Sequence, residues 1–223
     1  MLDGATIHGL LTAVELKDAA TAAHTWRVTL YARALAESFG ISGERLRRLS
    51  LGAALHDVGK IDIDDAILRK AGPLTDAEFD AIKRHPAIGY DRLVGMGVTD
   101  PEVLGLVRSH HERWDGRGYP DGLAGTDIPE AARFFSVVDA FDAMTSVRTY
   151  RSIIGDDAAR VALKAIEADE GTRYCGLCVE AFASLFRTGR LDWILHYYND
   201  GVDVPDFGSI EHLDDAIRSL KPE

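Results

Sequence analysis

The sequence contains little cysteine and no long apolar run. Its 223 residues include only two cysteines, Cys175 and Cys178, so no disulfide framework can support the fold. A zinc site on this CxxC pair would need a second pair of ligands nearby, and none follows in the sequence, so both are predicted to be small buried residues at a helix start. No segment approaches the roughly 20 apolar residues that span a membrane, and the N-terminus lacks a signal-peptide pattern. We therefore expect a cytoplasmic protein without a membrane partner.

Positive charge is also scarce. The formal net charge is -11, and an acidic surface repels polyanions. A nucleic-acid polymer is therefore not an expected partner, and a phosphate-bearing substrate must be met locally by bound cations or a few arginines. The apolar content of 46% is enough for one sizeable core.

Apolar residues recur at spacings of three and four, and strict alternation is rare, which predicts an all-α fold. A stretch rich in glycine and proline, WDGRGYPDGLAGTDIP at 114–129, predicts a structured loop. About a dozen residues are expected before the first helix. Helices are predicted at about 18–39, at 42–57, from the Thr75–Glu78 capping box towards His85 with an interruption at Pro86, from Asp100 with Pro101 in its first turn through His110 and His111, from Pro129, and at 156–168.

Seven histidines and aspartates stand out because each lies on or beside an apolar helical face. They are His24, His56, Asp57, His85, His110, His111 and Asp139. In a helical bundle such residues can converge on one interior metal site. Each alone could be an isolated residue, but the adjacent HD and HH pairs are costly to bury without partners, at roughly 1–3 kcal/mol per unsatisfied group. One convergent metal centre accounts for all seven.

The ligand types indicate which metals would bind. Imidazole and carboxylate without thiolate favour octahedral iron, with manganese as the alternative, over a structural tetrahedral zinc site. Two divalent ions are expected rather than one. Adjacent residues such as His110 and His111 can reach neighbouring positions, and the two carboxylate oxygens of Asp57 can bridge two ions.

Four segments, in order and spacing, resemble the motifs of a known family. They are HDVGK at 56–60, HPAIG at 85–89, HHERWDGRGYPDGLAG at 110–125 and VVDAFDAMTSVRTYR at 137–151. The chain resembles the HD superfamily of metal phosphohydrolases, and specifically its HD-GYP branch, over residues 14–186. The resemblance implies a compact helical HD-type bundle with a Gly/Pro-rich GYP loop, a lead-in at 1–13 and an appendage of unknown role at 187–223.

The resemblance also implies a mechanism in which two ions share Asp57. The ligands would be His24, His56, Asp57 and Asp139 for one ion, and Asp57, His85, His110 and His111 for the other. A hydroxide between the ions would attack phosphorus, with Asp57 central to catalysis. Lys60 would contact the scissile phosphate or supply a proton to the leaving group.

Substrate contacts are implied as well. Arg148 and Arg151 match family positions that contact phosphate or guanine, and a guanidinium fork suits both groups. Gly118, Tyr119 and Pro120 form the GYP signature, in which Tyr119 offers an aromatic face near the substrate entrance. The implied reaction is hydrolysis of cyclic di-GMP to linear pGpG, GMP or both.

Several alternatives stay open. The substrate could be another nucleotide, such as 3'3'-cyclic GMP-AMP or a phosphomonoester, or the domain could sense a dinucleotide without cleaving it. A diiron oxygenase is a further option, against which Lys60 and the GYP loop argue. Ala20 stands where some family members have a glutamate that recruits a third ion, so two ions are expected. Cys175 and Gly176 also depart from the family pattern. The chain would be a stand-alone enzyme or an excised domain, with a homodimer and a regulatory protein as candidate partners.

Overall fold

A computed structural model describes residues 2–17, 22–146 and 156–197. Within these ranges the chain forms α-helices and two short 3-10 helices, Val58–Asp62 and Gly125–Asp127, and no β-strand. The predicted all-α bundle is confirmed. The α-helices are α1 (Gly4–Lys17), α2 (Ala22–Ser38), α3 (Gly43–Ala54), α4 (Asp65–Leu68), α5 (Asp76–Ile82), α6 (His85–Gly95), α7 (Pro101–Ser109), α8 (Glu130–Thr145), α9 (Asp156–Ala168), α10 (Gly176–Arg187) and α11 (Asp192–Tyr197).

Helix α2 lies in the middle of the bundle. It packs against α3 and α8 and also contacts α10 and α11, while α7 packs against α3, α6 and α8. Val28, Tyr31 and Leu35 on the inner face of α2 are fully buried. Each fully buried large apolar side chain stabilises the fold by roughly 1.5–3 kcal/mol. The helices that bear the predicted ligands are thus held around one core.

Local sequence determines where several helices begin. The Thr75 hydroxyl accepts the Glu78 backbone N–H while the Glu78 carboxylate accepts that of Thr75, which is the predicted capping box. Asp100 caps α7, with Pro101 in the first turn. Pro86 stands in the first turn of α6, so the predicted interruption is the boundary between α5 and α6.

Two predicted helix ends are wrong. Helix α3 stops at Ala54 and not near Asp57, and α7 stops before His110, so that both adjacent ligand pairs follow a helix instead of belonging to it. The imidazoles explain the difference. His56 and His110 each hydrogen-bond through Nδ1 to the carbonyl oxygen three residues earlier, which satisfies a carbonyl group at the helix end.

The expectation that about a dozen residues precede the first helix is also wrong. Helix α1 begins at Gly4, and Ile7, Leu10, Leu11 and Val14 form its buried stripe. That spacing is the one expected of an amphipathic helix, so the signal was present in the sequence. Helix α1 packs against the first 3-10 helix and runs across the predicted boundary at 13/14. The domain boundaries at 13/14 and 186/187 stay predictions.

The two cysteines lie at the start of α10, as predicted. Both are buried free thiols, and burial raises the pKa of the Cys178 thiol well above its usual value. A thiol of this kind is unreactive. Throughout the described ranges, none of the helices combines the length and the apolar character needed to cross a bilayer.

Candidate metal centre

Two groups of three side chains are spaced as metal ligands are. Within each group the candidate ligand atoms lie within 4.8 Å of one another. Asp57 lies between the groups, with Oδ1 3.2 Å from His85 Nε2 and Oδ2 3.1 Å from His56 Nε2. The structure therefore brings all seven predicted ligands together. The members are His85, His110 and His111 in what we call the histidine group, and His24, His56 and Asp139 in the mixed group.

Backbone carbonyls fix three of the imidazole rings. Nδ1 of His56, His85 and His110 lies 2.8, 2.8 and 2.9 Å from the carbonyl oxygen three residues earlier. Because a carbonyl oxygen can only accept, each Nδ1 carries a proton and donates it. A neutral ring that is protonated at Nδ1 keeps a free lone pair on Nε2, which is the form that binds a metal ion.

The contact between His85 and His110 is the strongest sign of a cation site. Their Nε2 atoms are 3.1 Å apart, and Asp57 Oδ1 is 3.2 Å from His85 Nε2. If both rings are neutral and carry their proton on Nδ1, all three facing atoms are acceptors, and acceptors buried against one another need a shared cation. Two ligand atoms about 2.1 Å from an ion in octahedral geometry are about 3.0 Å apart, which these spacings match. The residues fit a divalent metal ion.

The electrostatic environment favours the neutral form of His110 and His111 and the ionised form of Asp57. Burial lowers the pKa of His110 well below its usual value and lowers that of His111 to about 4. Burial by itself would raise the pKa of Asp57, but His56 and Lys60 hold it well below the usual range. The ammonium group of Lys60 lies 2.8 Å from Asp57 Oδ2, at the edge of the centre.

Asp142 supports the mixed group, and the sequence analysis missed it. His24 Nδ1 donates to Asp142 Oδ2 over 2.8 Å, Arg27 Nε donates to Oδ1 over 2.5 Å, and the Ser146 hydroxyl lies 2.9 Å from Oδ2. Burial would raise the pKa of Asp142, but His24 and Arg27 lower it to about 2. The carboxylate thus fixes the His24 ring and leaves Nε2 facing Asp139, 3.9 Å away.

The contact with Asp142 also raises the pKa of His24. Burial lowers the pKa of His24, whereas the hydrogen bond and charge of Asp142 raise it, and the net direction is upward.

Asp142 follows Asp139 by three residues on an otherwise apolar segment of α8. That spacing, which places both carboxylates on adjoining parts of one helix face, was the available sequence signal.

Gly59 allows two ligand-bearing segments to approach closely. A Cβ atom at this position would lie 2.0 Å from the His85 carbonyl oxygen and 2.6 Å from the Gly89 backbone nitrogen. The first 3-10 helix therefore rests with its backbone directly on the first turn of α6. This contact places Asp57 beside His85.

The predicted substrate residues are only partly described. Residues 114–129 form the expected loop, which contains the second 3-10 helix. The Tyr119 ring lies 4.8 Å from the His111 ring, measured between centroids, so Tyr119 borders the histidine group, while the contacts of Gly118 and Pro120 with substrate stay predictions. The predicted contacts Arg148 and Arg151 and the position of Ala20 lie outside the described residues.

The fold and the centre together define a helical protein with a histidine and aspartate site suited to divalent metal ions. The sequence model of the HD domain matches residues 10–176. The chain belongs to the HD domain family, and the resemblance predicted from its four motifs is confirmed.

Relatives of known function agree with this assignment. The cyclic di-GMP phosphodiesterase response regulator RpfG of Xanthomonas campestris pv. campestris is 42% identical over 177 residues, which are 79% of this chain and 46% of that protein. The 3'3'-cGAMP-specific phosphodiesterase 2 of Vibrio cholerae is 36% identical over 71% of this chain and 31% of its own length. The chain thus spans less than half the length of these relatives.

A solved structure supports the fold independently of sequence. Bd1817, a HDG"Y"P protein from Bdellovibrio bacteriovorus, superimposes with a TM-score of 0.57 at 22% identity, over 74% of this chain and 51% of that one. At this identity the likeness concerns the fold. The predicted HD-type helical bundle is therefore confirmed.

Proposed function

We propose that this domain is a metal-dependent phosphodiesterase that hydrolyses cyclic di-GMP to linear pGpG, GMP or both. The observation that supports it most directly is the convergence of the histidine group and the mixed group on the two oxygens of Asp57. The substrate class rests on the activity named for the relatives at 42% and 36% identity.

Two divalent ions fit the donor set, iron first and manganese as the alternative, because the donors are imidazole nitrogens and carboxylate oxygens. The histidine group with Asp57 would hold one ion, and the mixed group with Asp57 the other. When bound, such ions lower the pKa of water and offset charge on phosphoryl oxygens. Asp57 keeps the two groups in register, since each of its oxygens faces a different group.

The remaining residues orient and stabilise the substrate. Lys60 is 17% exposed at its side chain and paired with Asp57, so its charge is held beside the place where a phosphate would sit. In that position it can offset negative charge that grows on the leaving oxygen. Arg148 and Arg151 would hold phosphate or guanine outside the metal ligands, while Gly118, Tyr119 and Pro120 border the site.

A second candidate substrate is 3'3'-cyclic GMP-AMP. The relative from Vibrio cholerae, whose name specifies that dinucleotide, matches 71% of this chain. The two substrates share the phosphodiester ring and one guanine, so the metal ligands would serve both. Discrimination between adenine and guanine would come from contacts to the second base.

Product analysis tests the proposal directly. Purified protein loaded with Fe(II) without oxygen, or with Mn(II), is incubated with cyclic di-GMP, 3'3'-cyclic GMP-AMP and a phosphomonoester, and the products are separated by chromatography. Chelated protein is the control. We expect cyclic di-GMP to be consumed fastest and only with metal. Faster turnover of 3'3'-cyclic GMP-AMP would select the second candidate, and no turnover of any cyclic dinucleotide would overturn the proposal.

Regulation would act on this activity from outside the centre. A homodimer and a regulatory protein partner stay predictions, as does the cytoplasmic location, where cyclic dinucleotide messengers would be met. Oxygen consumption by the iron-loaded protein, measured in a parallel aerobic assay, separates the phosphodiesterase from a diiron oxygenase, since hydrolysis consumes no oxygen.

A further inference from the structure

Glu112 directly follows His110 and His111 of the histidine group but makes its contacts elsewhere. It is 3% exposed. Its Oε1 accepts the backbone N–H groups of Asp121 at 2.7 Å and Gly122 at 3.1 Å, and its Oε2 accepts that of Leu123 at 3.1 Å. One buried carboxylate thus satisfies three consecutive N–H groups on the far side of the GYP loop.

The loop packs tightly against Glu112 and Arg113, the two residues that follow His111. A Cβ at Gly118 would lie 2.5 Å from Glu112 Cα and 2.4 Å from the Arg113 backbone nitrogen, so the two backbones are in direct contact. The next residue, Tyr119, donates its N–H to the His111 carbonyl oxygen over 3.3 Å. Its ring lies against the His111 ring with an interplanar angle of 34°.

These contacts give Glu112 a different task from Asp57. Both Glu112 oxygens are engaged by N–H donors, whereas each Asp57 oxygen faces an imidazole Nε2. A carboxylate that is enclosed by three donors orients them and has little capacity left for a cation. Glu112 therefore closes the loop around Tyr119 from one side, while the His111 carbonyl holds Tyr119 from the other.

We propose that Glu112 is a positioning residue: it fixes the loop so that the Tyr119 ring forms one wall of the substrate site beside His111. This inference rests on the proposed function, because the wall faces a cyclic dinucleotide. It assigns Glu112 to substrate binding and separates it from metal binding, although it stands next to two metal-ligand candidates in the sequence.

Glu112→Gln tests the assignment with almost no change in shape. The amide keeps one acceptor oxygen but turns an NH2 group towards one of the backbone donors. We expect KM for the cyclic dinucleotide to rise about tenfold, with kcat changed less than about threefold and metal content unchanged. Amide hydrogen exchange across 119–123 should become faster. Glu44→Gln is the matched control, since Glu44 pairs with exposed arginines on α3, and it should leave all four readouts unchanged.

A double-mutant cycle shows whether Glu112 acts through Tyr119. If it does, Tyr119→Ala should raise KM by itself, and adding Glu112→Gln should raise it no further. Glu112→Asp, which keeps the charge but is one methylene shorter, should give an intermediate KM and guards against a folding failure of the first variant. Additive effects, metal loss in Glu112→Gln, or unchanged exchange at 119–123 would each overturn the assignment.

The two proposals fail in different ways. If the proposed function is wrong, the metal-loaded wild-type protein does not turn over the substrate, and Tyr119 then has no role as a wall of the substrate site. Loss of the Glu112 assignment shows only in the variants of an active wild type. Hydrogen exchange needs no turnover, so it tests in both cases whether Glu112 fixes the loop.

Discussion

The two halves of the candidate metal centre are held in place by different means. In the histidine group, His85 and His110 are 1% exposed, and backbone carbonyls fix both rings. In the mixed group, the side chains of His24 and Asp139 are 17% and 22% exposed, and a side-chain carboxylate, Asp142, fixes the His24 ring. The third member of the mixed group, His56, is buried and fixed by a backbone carbonyl as in the histidine group, so the halves differ at His24, whose ring a side-chain network fixes.

The position of the His24 ring therefore depends on a different kind of contact from those that fix His85 and His110. His85 and His110 are each fixed by a carbonyl three residues earlier in the chain, whereas His24 on α2 is fixed by Asp142 on α8. Lys60 lies beside the more exposed half, since Lys60 and His56 contact the same Asp57 oxygen. Asp57 is the only described carboxylate that contacts an imidazole of each half.

Removing the shared residue should have the largest effect. Asp57→Ala removes both carboxylate oxygens, one of which faces each half, so both ions should be depleted. Loss of a single stabilising group from an active site lowers kcat about 10²–10³-fold, and this variant should lose more than that. Metal analysis and product chromatography on the same sample check this. Full activity in this variant would contradict a centre that is joined through Asp57.

Removing one ligand from each half should separate them. His85→Ala and His24→Ala should each leave about one ion per chain and lower kcat at least about 100-fold. His85→Ala should also lower the free energy of unfolding more than His24→Ala does, by roughly 1–3 kcal/mol, because His85 is the more deeply buried. In addition, Arg27 and Ser146 still hydrogen-bond the Asp142 carboxylate when His24 is removed. Chemical denaturation of both variants without metal measures this. Equal destabilisation would remove the structural distinction between the halves.

Lys60→Ala tests whether the exposed half is the catalytic side. If Lys60 offsets charge on the leaving oxygen, kcat should fall about 10²-fold while KM and metal content change little. Lys83→Ala is the matched control, because Lys83 also pairs with an aspartate three residues earlier but on the outer surface of α5. A KM effect without a kcat effect would reassign Lys60 to substrate binding.

The smallest effect is expected from the supporting carboxylate. Asp142→Asn keeps an oxygen for the His24 ring but loses the charge, so affinity for the ion of the mixed group should fall about 10–100-fold while the histidine group keeps its ion. Titration with Mn(II), read by electron paramagnetic resonance, resolves the two events. Asp157→Asn, at an exposed aspartate of α9, is the control. An equal loss of affinity for both ions would show that Asp142 supports the whole centre.

The seven ligands could be predicted from sequence because their types and pairings are unusual for apolar surroundings. His56 with Asp57, and His110 with His111, are adjacent polar pairs next to helices whose other residues are apolar, and such pairs need partners. Thr75 and Glu78, and Asp100 with Pro101, signalled two helix starts by local hydrogen bonding alone.

The remaining features depend on contacts between residues that are far apart in the chain. Asp142 became part of the site through His24, 118 positions away, and Glu112 through backbone groups 9 to 11 positions ahead. Neither partner can be read from the local sequence, although the spacing of Asp142 from Asp139 on α8 was a signal for Asp142 itself. The ends of α3 and α7 were misplaced for a different, local reason, because an imidazole that bonds the carbonyl three residues earlier competes with the next helical turn.

Anomalous scattering from crystals grown with ample iron or manganese tests the central claim most directly. The account predicts two ions per chain, one in contact with His85, His110 and His111, the other with His24, His56 and Asp139, and both in contact with Asp57. Measuring at the absorption edge of each metal identifies which one is bound. A single ion, two ions that do not share Asp57, or a well-occupied third ion beside His24 would contradict it.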